Sequence, residues 1–125
     1  MDIKTKETYS EVYSILNLLG ESYITKLPKS LYNMIIEENG FNLSGGERQR
    51  LILARSIIND FNILLIDEAT NQIDVSLERK ILKKIFNKFQ DKTIISVSHR
   101  LENMDLFDKI IKIEDGKIKE IIENG

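Results

Sequence analysis

Apolar residues recur with a helical period at the start of the chain. Between Thr8 and Leu19 they fall at Tyr9, Val12, Tyr13, Leu16 and Leu19, one stripe of a helix, with Gly20 placed for a left-handed cap. Tyr23, Ile24 and Leu27 predict a second, short helix that Pro28 stops. From Lys29 to Asn42 no period holds, and Asn39-Gly40 marks a turn. A further helix is predicted to open at Ser44 and to end near Asn59-Asp60. Its apolar stripe is Leu51, Ala54, Ile57 and Ile58, while Arg48 and Arg55 share another face.

The pattern then changes. Ile63 to Asp67 is an apolar run ending in a carboxylate, and Thr93 to Val97 is a second buried-strand run. Neither alternates, which predicts strands covered on both faces in a parallel sheet. Between them, Leu77, Ile81, Leu82, Ile85, Phe86 and Phe89 form the inward stripe of a helix from Val75 to Phe89, with its lysines outward. Strand, helix, strand is a right-handed crossover, so the two strands should lie parallel in one sheet. Lys109–Ile113 and Lys117–Ile122 flank Glu114-Asp115-Gly116, the signal of a hairpin. The class predicted is α/β in a single domain, with helical residues 1–59 followed by an α/β part, 60–125.

Composition narrows the chemistry. The 125 residues are 42% hydrophobic and 30% charged with one Pro and six Gly, a mix that can bury a core. No cysteine is present and only one histidine, which excludes disulfides, thiolate metal sites and multi-histidine metal sites. Eighteen basic residues against twenty acidic ones give a net charge of −2, an argument against a nucleic-acid partner. No apolar run in the sequence is long enough to span a bilayer, and Met1-Asp2-Ile3-Lys4-Thr5-Lys6 lacks the apolar stretch of a signal peptide. These features predict a soluble domain of a reducing compartment.

Ligands of parallel sheets bind beyond the carboxyl ends of the strands. The first strand delivers Asp67 and Glu68 to that rim, and the second delivers Ser98 and His99. One carboxylate there can hold a hard cation such as Mg²⁺. The other can orient or deprotonate a water, and an imidazole can hydrogen-bond developing phosphoryl charge. Taken singly, each has a plainer explanation, Asp67 as a cap and His99 as a surface residue. Their convergence favours the chemical one.

A second candidate site is Leu43-Ser44-Gly45-Gly46-Glu47-Arg48-Gln49-Arg50. Two glycines in a first helical turn cost about 1 kcal/mol each relative to Ala. They leave backbone N–H groups open to an anion at the positive end of the helix dipole, and Ser44 adds a hydroxyl. Ser44 and Glu47 also fit a capping box.

Together LSGGERQR, NILLIDEAT and SVSHR resemble the signature motif, Walker B strand and switch histidine of the ATP-binding cassette (ABC) ATPases, in the family's order. The resemblance implies a P-loop NTPase fold: a helical subdomain, parallel strands and a terminal hairpin. It implies ATP and Mg²⁺, with Asp67 supporting the metal, Glu68 as catalytic base and His99 contacting the γ-phosphate. Ser44, Gly45, Gly46 and Glu47 would contact ATP held by a second nucleotide-binding domain, identical or different, and Asp74 would be the D-loop aspartate at that interface.

Two departures stand out. Asn71-Gln72-Ile73-Asp74 keeps the D-loop aspartate but changes its neighbours, and no Gly-x-x-x-x-Gly-Lys-Ser/Thr occurs in the 125 residues. The chain therefore resembles the C-terminal part of a nucleotide-binding domain, without the Walker A lobe, and is expected to be inactive alone. Arg100-Leu101 after His99, Ile36-Glu37-Glu38-Asn39-Gly40 before the signature, and Tyr23 to Pro28 resemble exporters. That implies a transmembrane domain as partner and the cytoplasmic face of a membrane as location. The alternatives are a non-transport cassette protein and a stand-alone module that lends its LSGG to a complete partner.

Overall fold

The computed structural model describes residues 14–20 and 45–124. The stretches from 1 to 13 and from 21 to 44, which hold the short second helix, the acidic stretch before the signature, and Ser44 itself, lie outside the described residues.

A helical segment, 14–18, ends as its sequence predicts: Gly20 adopts φ 81°, and its N–H donates to the Asn17 carbonyl at 3.1 Å. Helix α1 runs Gly45–Ile58, strand β1 Ile63–Asp67, helix α2 Val75–Lys88 and strand β2 Thr93–Val97. A 3-10 turn, Met104–Leu106, leads to β3, Lys109–Glu114, and β4, Lys117–Glu123. The described residues thus form an α/β arrangement with two two-stranded sheets.

β1 and β2 pair in parallel, Ile63 with Thr93 through Asp67 with Val97, as the crossover rule requires. Leu64 and Ile66 on one face of β1 are buried. They join Leu51, Leu53, Ala54 and Ile57 of α1, Ile81 and Ile85 of α2, and Ile15, Leu16 and Leu19 in one apolar core. Leu53 extends the stripe expected for α1. Burying each such side chain is worth about 1.5–3 kcal/mol, which is what holds two short helices against so small a sheet. Lys80, Lys83, Lys84 and Lys88 face solvent, as expected.

The other face of this sheet corrects the expectation of double coverage. Ile63 and Leu65 are 62% and 66% exposed, and Ile95 and Val97 about half exposed. The continuous apolar run is therefore a genuine signal of two apolar faces, but among the described residues only one face is covered.

β3 and β4 form the expected hairpin. Asp115 and Gly116 both take left-handed φ, 52° and 73°, the turn whose twist matches the flanking strands. A register shift between Lys112 and Ile113 marks a bulge.

Candidate functional site

The carboxyl end of the β1–β2 pair gathers the expected groups. The ladder runs one step past β1, the Glu68 N–H donating to the Val97 carbonyl at 2.9 Å. Glu68 then turns the chain with φ 53°, a left-handed conformation that costs a non-glycine residue about 1–2 kcal/mol. Such a conformation persists only where its surroundings hold it. The turn aims the carboxylate across the rim, where Glu68 Oε1 lies 2.8 Å from His99 Nε2. His99 is 91% exposed and Glu68 is 40% exposed, so both groups meet solvent and can meet a ligand. Asp67, one residue back, is exposed beside them. The pattern-based expectation that Asp67, Glu68 and His99 share one rim is what the chain displays.

Among the described residues no cluster of three or more acidic or histidine side chains could hold a metal by itself. A single exposed carboxylate at a strand end still fits Mg²⁺. This ion keeps several waters and binds through one or two carboxylates plus substrate phosphates rather than in an all-protein cage.

The start of α1 forms the second group. Gly45 and Gly46 line a cleft of about 390 Å³ together with Arg50, Gln72, Ile73, Asp74 and Leu77. The glycines have a further, intrachain reason here. A Cβ on Gly45 would lie 1.7 Å from Gln72 Oε1, and one on Gly46 would lie 3.0 Å from the Gln72 backbone oxygen. The first conflict is with a flexible side chain, the second with backbone, so Gly46 is the tighter requirement. Asp74 also has an intrachain role, since its carboxylate accepts the Leu77 N–H at 3.2 Å and caps α2.

Sequence reasoning missed the polar network between these two groups. Gln49 of α1 donates through Nε2 to Asn71 Oδ1 at 2.5 Å, and its Oε1 accepts the Gln72 N–H at 2.9 Å. Arg100 reaches the same loop from the other side, donating at 2.5 Å to each of the Asn71 and Ile73 carbonyls. Glu78 on α2 is 3% exposed, yet its carboxylate is satisfied. It accepts from Asn103 Nδ2 at 2.7 Å, from the Thr70 hydroxyl, and from Arg100 at 3.4 Å. Asn103 in turn bonds the Val75 carbonyl at 3.2 Å and takes a 3.4 Å contact from Arg79. Arg79 grips Asp105 with two bonds of 2.8 and 2.7 Å. These bonds hold the Arg79 guanidinium above its ordinary value and the Asp105 carboxyl below its own. One signal of this network was available: Glu78 stands beside Ile81, Leu82 and Ile85 on the inward stripe, and a carboxylate there must find partners.

Comparison with known proteins identifies the family. The ATP-dependent lipid A-core flippase of Haemophilus influenzae is 39% identical over 98 residues, 78% of this chain and 16% of the flippase. P-glycoprotein 14 of Caenorhabditis elegans is 38% identical over 116 residues, 93% of this chain and 8% of that protein. This chain thus spans less than a fifth of the length of either relative. Among solved structures, a bacterial Atm1-family ABC exporter with ATP bound superposes with a TM-score of 0.78 at 27% identity, covering 97% of this chain and 21% of the exporter chain. The sequence profile of the ABC transporter family matches residues 2–71. More than half of the chain carries that profile, and the chain belongs to the ABC transporter family.

Proposed function

We propose that these residues form part of the ATP-binding and hydrolysing domain of an ABC exporter. The observation that carries the proposal is the 2.8 Å contact between Glu68 and His99 at the carboxyl ends of two parallel strands. A carboxylate and an imidazole in contact, both open to solvent, can act on one phosphate and one water. Glu68 accepts the proton of the attacking water. His99 donates a hydrogen bond to the γ-phosphate oxygens as charge develops on them. Asp67 is the side chain that would hold Mg²⁺, which when bound neutralises phosphate charge. Ser44, together with Gly45, Gly46 and Glu47 at the start of α1, contacts the ATP of a second nucleotide-binding domain, and Asp74 lies at that interface.

On this reading the partners are a second cassette domain, identical or different, and a transmembrane domain. The site works at the cytoplasmic face of a membrane, and ATP-dependent pairing of the domains drives transport. No nucleic acid is involved. The 125 residues by themselves do not turn ATP over, because they hold no phosphate-cradling loop with its lysine.

The test is Glu68→Gln in the complete ATPase. ATP-driven pairing of the domains is expected to persist while hydrolysis falls by about 10²–10⁴, the usual worth of a general base. Hydrolysis at the normal rate would remove Glu68 from the reaction. Saturable ATP turnover by the isolated 125 residues, abolished by the same substitution, would overturn the expectation that they are inactive alone.

A further inference from the structure

The side chain that follows the switch histidine points away from the ligand rim and into the fold. Arg100 donates to the carbonyls of Asn71 and Ile73 and approaches Glu78 Oε2 at 3.4 Å, and its own N–H is held by Ser98 Oγ at 3.0 Å. The loop it grips begins at Glu68, in a left-handed conformation, and ends at Asp74, the cap of α2. Glu78 is buried, and its carboxylate binds Arg100, Asn103 and the Thr70 hydroxyl within this same loop. The loop is thus fixed at its start by His99 on Glu68, in its middle by Arg100, and from beneath by Glu78. Gln49 adds the start of α1 to the same assembly through Asn71 and Gln72.

We propose that Arg100 and Glu78 are a positioning pair, which holds the loop from Glu68 to Asp74 in register with the turn that carries His99. Neither touches nucleotide. Arg100 acts by bonding two backbone carbonyls that face one planar guanidinium, a geometry that a lysine ammonium cannot reproduce. Glu78 acts by fixing where that guanidinium sits. The pair therefore governs the distance between Glu68 and His99, and a misplacement of about 1 Å in such a constellation can cost about a hundredfold in rate. Through Gln49 the same pair links the loop to Gly45 and Gly46, so the two ends of the chain's chemistry share one support.

This inference rests on the reading of Glu68 and His99 as the hydrolytic pair, and its test separates the two. In the complete ATPase, Arg100→Ala is expected to lower kcat about tenfold or more, with KM for ATP changed by less than about threefold, because binding is left while alignment is lost. Arg100→Lys should recover only part of kcat, and Glu78→Gln should show the same split. A merely structural arginine would lower Tm and the active fraction together, leaving kcat per folded molecule unchanged; that result would overturn the proposal. If Arg100→Ala does not fold, Arg100→Lys decides: a reduced kcat at constant KM supports the pair, and wild-type kcat overturns it. With Glu68→Gln measured in parallel, a dead Glu68→Gln beside a wild-type Arg100→Ala removes the positioning role alone. A fully active Glu68→Gln removes the site reading on which it rests.

Discussion

The two sheets of this chain are built on opposite principles. The β3–β4 hairpin is local: strands of six and seven residues are joined by two residues, Asp115 and Gly116, whose φ values suit the turn. Ion pairs run across it, Lys109–Glu123 at 3.5 Å, Lys112–Glu120 at 2.9 Å and Lys119–Glu114. Everything it needs lies within fifteen residues, and it bears no candidate chemistry. The β1–β2 pair is non-local. Its strands are thirty residues apart in register, and the loop at its carboxyl end is held by Gln49, Glu78, Arg100 and Asn103 from three other segments. The candidate chemistry stands on the second kind of structure, where a left-handed glutamate can be held in place by distant side chains.

The comparison predicts that damage to the non-local support costs more than damage to the hairpin. Ile85 is completely buried between α2 and the sheet, and Ile85→Ala is expected to cost about 2–5 kcal/mol, read as a drop in the chemical-denaturation midpoint. A loss below 1 kcal/mol would mean that this core collapses around the cavity. Asp74→Ala removes the cap of α2 and should cost about 0.5–2 kcal/mol in the same measurement. Asp74→Asn, which keeps the capping oxygen, should restore most of it. Gly116→Ala in the hairpin places a side chain at φ 73° in open space, so only backbone strain is added, about 1–2 kcal/mol. Its effect should stay within the hairpin, visible as faster amide exchange in β3 and β4 while β1 and β2 are unchanged.

The smallest effect concerns pH. Arg79 holds the Asp105 carboxyl below its ordinary value, so the folded state binds that proton less readily than the unfolded chain. The contribution is complete above the ordinary carboxylate range and is lost as pH falls through the lowered folded value. Asp105→Asn should therefore lower Tm slightly at neutral and alkaline pH, where the contribution is complete, and leave Tm unchanged at pH below the lowered folded value. The pair is exposed and screened by salt, so a large change would contradict this account.

What the residue pattern revealed follows the same division. The Asp115-Gly116 hairpin, the Gly20 cap and the parallel pairing of Ile63–Asp67 with Thr93–Val97 were legible because each rests on a short-range rule. So was the meeting of Glu68 with His99, since the crossover rule brings two strand ends to one rim. The Arg100 clamp was not legible, because nothing in Ser98-His99-Arg100 says that the arginine turns inward to the Asn71 and Ile73 carbonyls. Gly45 and Gly46 read as openings for an anion, and their close approach to Gln72 depends on a contact across more than twenty residues. The apolar run of β1 predicted two covered faces, and among the described residues only one is covered, with Ile63 and Leu65 exposed on the other.

The central claim is that Glu68 and His99 act as one unit on one phosphate and one water. The most direct measurement is a double-mutant cycle on ATP turnover in the complete ATPase, with Glu68→Gln, His99→Ala and the two combined. Groups that act together lose activity non-additively, so the double variant is expected to be no slower than the slower single variant. Losses that multiply would contradict the account and place the two side chains in separate steps.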